Sequence, residues 1–180
     1  MRIVAGKYGG RTIKTPEGQE TRPTLERVKQ AMFSSIQNEI PGAIVLDLFS
    51  GSGSLGIEAL SRGANLVIFN DNNPEVVALI EENLATLKIS KNYELNCLDY
   101  QRLLEQLAKR TIKFDVVLLD PPYKDLINQE IISTLLKHNN LADSCVIIIE
   151  TDRKTPSEEI VGFKRKEHAF GNVKFNVYRR

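Results

Sequence analysis

Two short apolar runs, each with an aspartate at or next to its end and with glycines or prolines after it, constrain this chain most. The first covers residues 44–48 and continues into Phe49-Ser50-Gly51-Ser52-Gly53, and the second covers residues 116–119 and continues into Asp120-Pro121-Pro122-Tyr123. Both runs are continuous and rich in β-branched residues, which indicates buried parallel strands. Because ligands of open α/β sheets bind at the carboxyl ends of strands, we expect both motifs to face one crevice.

Strands and helices alternate along the chain. The predicted strands cover residues 44–48, 65–70, 93–96, 114–119, 145–150, 163–170 and 173–180, and the predicted helices cover 23–38, 54–62, 101–109 and 128–138, with another starting at 74. The dipeptide Gly171-Asn172 predicts a tight turn between the last two strands. The pattern predicts an α/β, Rossmann-like fold, a mostly parallel twisted sheet with helices on both faces and a C-terminal antiparallel hairpin.

The first 40 residues stand apart from this alternation. Residues 2–14 predict a small β-hairpin with a glycine-rich turn, and a helix follows it. We therefore expect an N-terminal extension, residues 1–40, followed by a domain of residues 41–180.

The composition is that of a globular protein, with 42% hydrophobic and 26% charged residues. No run approaches the ~20 apolar residues of a membrane span, and no secretory signal is visible. Cys97 and Cys145 lie in or beside predicted strands and are expected to be buried free thiols of a reducing cytoplasm. With His138 and His168 they lack the spacing of a zinc site, so no metal is expected.

Charge is divided unevenly along the chain. Residues 1–38 carry a net charge of +4, residues 39–152 carry −8 and residues 153–180 carry +5. Two basic ends near a crevice could hold the phosphates of a nucleic acid, although simple solvation of these side chains is an open alternative.

The loop Gly51-Ser52-Gly53-Ser54-Leu55-Gly56 matches the G-x-G-x-x-G pattern of dinucleotide-binding enzymes. Asp47 argues against a dinucleotide, since its carboxylate would oppose a pyrophosphate at the helix N-terminus. The stretch from Asp47 to Gly53 instead resembles the D-x-F-x-G-x-G motif of S-adenosylmethionine-dependent methyltransferases, whose cofactor is cationic. The residues expected at the cofactor are Asp47, Phe49, Ser50, Gly51, Ser52 and Gly53. A side chain at Gly53 is expected to enter the space of the cofactor.

The same resemblance implies further cofactor ligands. The acid that accepts the ribose hydroxyls in this superfamily aligns with Asn70, and a shift of one residue would bring in Asp71 instead. Asp99 follows the third strand, where an acid can pair with the adenine amino group. A role of Asp99 as a helix N-cap is equally compatible with its position.

The second motif, Asp120-Pro121-Pro122-Tyr123, resembles that of methyltransferases acting on the exocyclic amine of a base. The Asp120 carboxylate and the Pro121 carbonyl can accept N–H bonds from the amine and aim its lone pair at the methyl group. The prolines Pro121 and Pro122 stiffen the turn. Tyr123 offers a ring on which an extruded base can stack, worth roughly 1–3 kcal/mol.

The N-terminal segment narrows the family. Residues 22–33 resemble the R-P-T-x-x-x-V-x-x-x-x-F helix of the RsmD family of 16S rRNA guanine-N2 methyltransferases, and residues 2–11, 55–64 and 170–178 are similar to other parts of it. The resemblance implies S-adenosylmethionine as cofactor and 16S rRNA or the assembling small subunit as partner. It also implies RNA-binding roles for Lys7, Arg11, Arg22 and Thr24.

Two alternatives remain open. One is a methyltransferase that acts on DNA or on another exocyclic amine with the same Asp-Pro-Pro-Tyr motif. The chain has little room for the separate target-recognition domain that DNA enzymes usually carry. The other is a non-catalytic RNA-binding module that retains the fold, an alternative that Asp120 and the glycine loop argue against.

Overall fold

The computed structural model describes residues 1–16, 23–121, 127–171 and 173–180, with the backbone alone for residues 23–25 and 152. Its strands are β1 Ile44–Asp47, β2 Leu66–Asp71, β3 Tyr93–Cys97, β4 Phe114–Leu119, β5 Leu141–Asp152, β6 Lys164–Phe170 and β7 Val173–Arg179. Its helices are α1 Pro23–Ser35, α2 Ser54–Ser61, α3 Pro74–Thr86, α4 Tyr100–Leu107 and α5 Ile127–Lys137.

The strands of the described residues form one sheet in the order β3-β2-β1-β4-β5-β7-β6. Strands β1 to β5 pair in parallel, while β7 is antiparallel to both β5 and β6. After β1 the chain builds outward to β2 and β3, and it then returns to place β4 on the other side of β1. This reversal puts a topological switch point between β1 and β4, where open α/β sheets bind their ligands. The predicted fold class is confirmed.

Both faces of the sheet are covered because successive strand residues alternate between them. Val45 packs into one core, which contains apolar residues of α1, α2 and α3. Its neighbour Leu46 packs into the other core, which contains residues of α4 and α5. The central strands are buried on both sides, which explains why they are apolar without a period of two.

The N-terminal segment is less regular than the predicted hairpin. Among its described residues, an isolated antiparallel bridge joins Arg2 and Thr12, and the Ile3 N–H donates to the Arg11 carbonyl at 2.9 Å. The backbone N–H groups of Val4 and Ala5 donate instead to the carboxylate of Glu58 in α2, at 2.8 and 3.1 Å. The residues predicted to form a small hairpin are therefore paired antiparallel at the two ends of the segment, and α2 holds part of the connection between them.

The structure corrects two further expectations. Strand β5 begins at Leu141, before the predicted 145, since Leu141 pairs with Phe114 across an irregularity in the register. Cys145 is buried as predicted, and burial raises the pKa of its thiol to about 12. Cys97 is exposed, because it ends the edge strand β3. None of the helices in the described parts of the chain is long and apolar enough to cross a membrane.

Candidate active site

A pocket of about 700 Å³ opens at the carboxyl ends of the central strands. Its volume lies within the range of small-molecule sites. The residues of the predicted cofactor site that line it are Phe49, Ser50, Gly51, Ser52, Asn70, Asp71 and Asp99. The predicted catalytic residues Asp120 and Pro121 line the same pocket. The switch point thus brings the two sequence motifs together.

Asp47 is placed behind the glycine loop. Its carboxylate is buried and accepts a hydrogen bond from the backbone N–H of Gly56 at 2.9 Å. Burial raises the pKa of Asp47 to about 7, and the negative charges of Asp120 and Asp71 add to the shift. A carboxylate in the first turn of a helix is stabilised by the helix dipole. Asp47 therefore holds the N-terminus of α2 and leaves less of its positive end for a phosphate.

The glycines of the loop have three different roles. A Cβ atom on Gly56 would lie 2.2 Å from the Phe69 ring, so this glycine lets α2 pack closely on β2. A Cβ on Gly53 would lie 3.1 Å from the Ile80 side chain. The expectation that a Gly53 side chain would enter the cofactor space is wrong, because that position faces α3. Gly51 has a φ of +51° and open space at its Cβ position, and it lines the pocket.

The Asn70 side chain is hydrogen-bonded to the neighbouring backbone. Its amide nitrogen donates to the carbonyl oxygens of Leu48 at 3.2 Å and Leu98 at 3.0 Å. Its amide oxygen accepts from the Leu98 N–H at 3.3 Å. Asn70 is only 2% exposed, so its main effect is to tie the ends of β1, β2 and β3 together.

Asp71 is more accessible than Asn70 and contacts the glycine loop directly. One carboxylate oxygen accepts the Gly51 N–H at 3.1 Å, and the other accepts the Asn73 N–H at 3.0 Å. A carboxylate offers about four lone-pair positions, so two more hydrogen bonds can be accepted from a ligand. Of the two ribose alternatives, the geometry favours Asp71.

Asp99 caps helix α4, since its carboxylate accepts the Gln101 N–H at 2.9 Å. The predicted N-cap role is confirmed, and Asp99 also lines the pocket. Beside it, the rings of Phe49 and Tyr100 lie 5.8 Å apart at an angle of 52°. These rings give this end of the pocket an aromatic wall.

Acidic side chains dominate the titratable lining among the described residues. They are Asp71, Asp99, Asp120 and Glu150. The described lining includes one lysine, Lys29, whose charge is partly neutralised by Glu58. This balance favours a cationic ligand over a pyrophosphate.

Lys29 is a buried lysine on α1 that sequence reasoning missed. Its ammonium donates to the Arg2 carbonyl at 2.7 Å and to the Ser54 hydroxyl at 2.9 Å, and it lies 3.7 Å from the Glu58 carboxylate. Burial lowers the pKa of Lys29, while Glu58 opposes that shift. Lys29 thereby connects the N-terminal segment to the start of α2 at the pocket. A lysine on the apolar face of a predicted helix was the available signal.

Glu150 and Tyr100 were also missed. Glu150 ends the apolar run of β5 as Asp120 ends that of β4, so the same strand-end pattern could have identified it. Burial, together with the charge of Asp120, raises the pKa of Glu150 to about 8. Tyr100 directly follows Asp99, and its position at the start of a helix gave no signal of its own.

The predicted RNA-binding residues lie on the N-terminal segment. The ammonium of Lys7 and the guanidinium of Arg11 lie 5.4 and 5.7 Å from the centre of the Tyr8 ring. These two cations and the ring form an exposed cluster, which we call the Tyr8 cluster. Met1 and Pro16, from the same segment, line the pocket. Outside the described residues lie Arg22, Pro122, Tyr123 and the side chain of Thr24.

Comparison with known proteins shows similarity over the full chain. A family model described as Conserved hypothetical protein 95 matches residues 1–179. The chain is 36% identical to the Bacillus subtilis protein YlbH, over 100% of this chain and 99% of that protein. It is 35% identical to the Haemophilus influenzae protein named "Ribosomal RNA small subunit methyltransferase D", over 99% of this chain and 93% of that protein. A solved structure of the Escherichia coli protein yhhF matches with a TM-score of 0.86 and 28% identity, covering 100% and 97% of the two chains.

Proposed function

The chain belongs to the family described as Conserved hypothetical protein 95, and we propose that it transfers a methyl group from S-adenosylmethionine to the N2 amine of a guanine in 16S rRNA. The membership confirms the resemblance to the RsmD family. The name of the H. influenzae relative supports small-subunit rRNA as the substrate. The observation that carries the proposal is the meeting of the Gly51 loop and Asp120 in one acidic pocket.

The pocket suits S-adenosylmethionine better than a dinucleotide. The cofactor carries an ammonium and a sulfonium, both of which the acidic lining stabilises. In the proposed arrangement Asp71 accepts the ribose hydroxyls, Asp99 accepts the adenine amino group and the ring of Phe49 borders the adenine. The backbone of Ser50, Gly51 and Ser52 borders the rest of the cofactor. The glycine loop is held in place by Asp47, Gly53 and Asn70, which therefore affect the cofactor indirectly.

When bound, the cofactor supplies an electrophilic methyl group. The protein contributes orientation and charge at the other reactant. Asp120 and the Pro121 carbonyl accept N–H bonds from the exocyclic amine and turn its lone pair toward the methyl carbon. Positive charge develops on the nitrogen during transfer, and the negative charge of Asp120 stabilises it. By the resemblance, Pro122 stiffens this loop and Tyr123 stacks on the base.

We assign RNA contact to residues 1–40 and the chemistry to residues 41–180. In this proposal Lys7 and Arg11 bind phosphates through the Tyr8 cluster, and Arg22 and Thr24 contact RNA or the methionine end of the cofactor. Such contacts are sequence-independent and position the substrate. If rRNA is the substrate, the protein acts in the cytoplasm, and its partner is 16S rRNA or the assembling small subunit.

Two measurements test the proposal. Calorimetric titration should detect binding of S-adenosylmethionine and of its demethylated product, with no binding of NAD. Radioactive methyl transfer should label small-subunit rRNA taken from a strain lacking the gene, and DNA of matched length should stay unlabelled. Binding of NAD without binding of the methyl donor would exclude the cofactor. Labelled DNA with unlabelled rRNA would favour a DNA methyltransferase. Cofactor binding without any methyl transfer would favour a non-catalytic RNA-binding module.

A further inference from the structure

Glu150 lies in β5, two residues before that strand ends, and Asp120 directly follows the end of the neighbouring parallel strand β4. The register of β4 and β5 pairs Leu118 with Ile148 and Leu119 with Ile149, and the two acids follow one residue later. Adjacent strands lie about 4.8 Å apart, so the two carboxyl groups start from neighbouring backbone positions. Both residues line the pocket.

The two acids also belong to the same face of the sheet. Leu118 and Ile148 pack into the core that contains α1, α2 and α3. Side chains of a strand alternate between the faces with a period of two. Asp120 and Glu150, two residues further along, therefore return to that face. On the other side of Glu150, β7 contributes Phe175, which is apolar and buried.

The surroundings of Glu150 favour its neutral form. Burial and the negative charge of Asp120 raise the pKa of Glu150 to about 8. Among the described residues, the other titratable side chains that line the pocket are Lys29, Asp71, Asp99 and Tyr100. Lys29, from α1, is within 4 Å of Glu58. From β6, His168 stacks on Phe175, and neither residue is among the described residues that line the pocket.

A neutral carboxylic acid has one donor and one acceptor on the same side. Guanine presents the complementary pair next to its N2 amine, with the N1–H as donor and O6 as acceptor. An acid that donates its O–H to O6 and accepts the N1–H forms a two-bond pair with this edge. A neighbouring carboxylate is then left in line with the N2 amine.

We propose that Glu150 is a specificity-determining residue that binds the N1–H and O6 groups of the target guanine, while Asp120 accepts the adjacent N2–H. This inference rests on the proposed function and deepens it. It explains why two acids line one pocket side by side although their mutual repulsion is unfavourable. Asp120 remains the group at the reacting nitrogen, and Glu150 sets which base is held there.

The test compares Glu150→Gln with Glu150→Ala. An amide also carries one donor and one acceptor, so Glu150→Gln should keep kcat/KM for rRNA within about threefold of the unchanged protein. Glu150→Ala should lower kcat/KM about 10- to 100-fold, the worth of one two-bond base contact. Affinity for S-adenosylmethionine should stay the same in both variants. Glu159→Gln, on the exposed surface, is the matched control.

Two further readouts separate base reading from a structural role. In the unchanged protein kcat/KM should fall as the pH rises through about 8, and in Glu150→Gln this fall should be absent. Replacement of the methylated guanosine by 2-aminopurine riboside, which lacks O6 and the N1–H, should reduce transfer by the unchanged protein. Glu150→Ala should no longer distinguish the two bases.

Clear outcomes would overturn the inference. An inactive Glu150→Gln that still binds S-adenosylmethionine would show that the carboxylate itself is needed. Equal use of guanosine and 2-aminopurine by the unchanged protein would show that the O6 edge is not read. In both cases N2-methylguanosine formed by the unchanged protein would leave the proposed function intact. If the unchanged protein forms no such product, the proposed function fails first.

Discussion

Asp71 Oδ2 accepts a hydrogen bond from the backbone N–H of Gly51 at 3.1 Å, which joins the end of β2 to the glycine loop after β1. In our proposal the same carboxylate accepts the ribose hydroxyls. One side chain therefore shapes the loop and, in our proposal, holds the cofactor. Loss of this carboxylate should affect both.

Asp71→Ala should weaken the binding of S-adenosylmethionine by about 10- to 100-fold, because hydrogen bonds to a charged group contribute about 1.5–3 kcal/mol. Calorimetric titration measures the change. Glu75→Ala is the control, since this exposed acid belongs to the same segment outside the pocket lining. Equal affinity in Asp71→Ala and Glu75→Ala would remove Asp71 from the cofactor site.

Gly51→Ala should act mainly on cofactor binding, and Gly56→Ala should act mainly on stability. The new methyl group at Gly51 points into open space at the pocket, so cofactor affinity should fall at least tenfold, with about 1 kcal/mol lost to the positive φ. At Gly56 the methyl group meets the Phe69 ring, and stability should fall by about 1–3 kcal/mol. Denaturant unfolding and calorimetry on both variants measure the two quantities. A Gly51→Ala variant with unchanged affinity would contradict the role of the loop.

Asp47→Asn should flatten the dependence of stability on pH. The pKa of Asp47 is about 7 in the folded protein and lies near 4 in an unfolded chain, so ionisation above pH 4 favours unfolding. Between pH 5 and pH 8 this effect is about 2–3 kcal/mol. In the unchanged protein the free energy of unfolding should fall by this amount as the pH rises, and in Asp47→Asn this fall should be absent. The exposed control Asp143→Asn should show the same fall as the unchanged protein. If Asp47→Asn and the unchanged protein had the same pH profile, the pKa of Asp47 would not be raised in the folded protein.

Reversing the charge of Lys7 and Arg11 to glutamate should impair RNA binding and leave the binding of S-adenosylmethionine unchanged. The Tyr8 cluster would lose two phosphate contacts, so the slope of log affinity against log salt should decrease by about 1.4–1.8. The control reverses the charges of Lys109 and Lys113. These exposed lysines lie near the amino end of β4, whereas the pocket lies at the carboxyl ends of the strands. Equal RNA affinity in the two double variants would show that the N-terminal segment makes no specific contribution.

The elements were predictable where the hydrophobic pattern is local. The bounds of β4 agree with the prediction, because its apolar run is flanked by polar residues and prolines. The start of β5 was missed because Ala142, Asp143 and Ser144 are not a strand-like sequence, and their position depends on pairing with β4. The contact of the N-terminal hairpin with α2 could not be predicted, because Glu58, more than 50 residues away, accepts the backbone N–H groups of Val4 and Ala5.

The motifs of the candidate site could be predicted from the sequence. Which of their side chains face the pocket was less predictable. Sequence motifs placed Gly51 and Asp120 at one crevice, and the structure brings both to the same pocket. Which strand-end polar group faces the ligand depends on register. Asn70 points into the protein and Asp71 contacts the loop, a difference of one residue that only the backbone reveals. Glu150 carries the same strand-end pattern as Asp120, but its position beside Asp120 depends on the pairing of β4 with β5.

The central claim is that Asp120 directs methyl transfer to the N2 amine of a guanine in 16S rRNA. The most direct measurement is nucleoside mass spectrometry of small-subunit rRNA from a deletion strain, after incubation with S-adenosylmethionine and either the unchanged protein or Asp120→Ala. The account predicts that N2-methylguanosine is absent from the deletion strain and restored by the unchanged protein. Asp120→Ala should restore it at a rate lower by about a hundredfold or more, with normal cofactor affinity. A deletion strain with its full complement of N2-methylguanosine, or an Asp120→Ala variant of normal rate, would contradict the account.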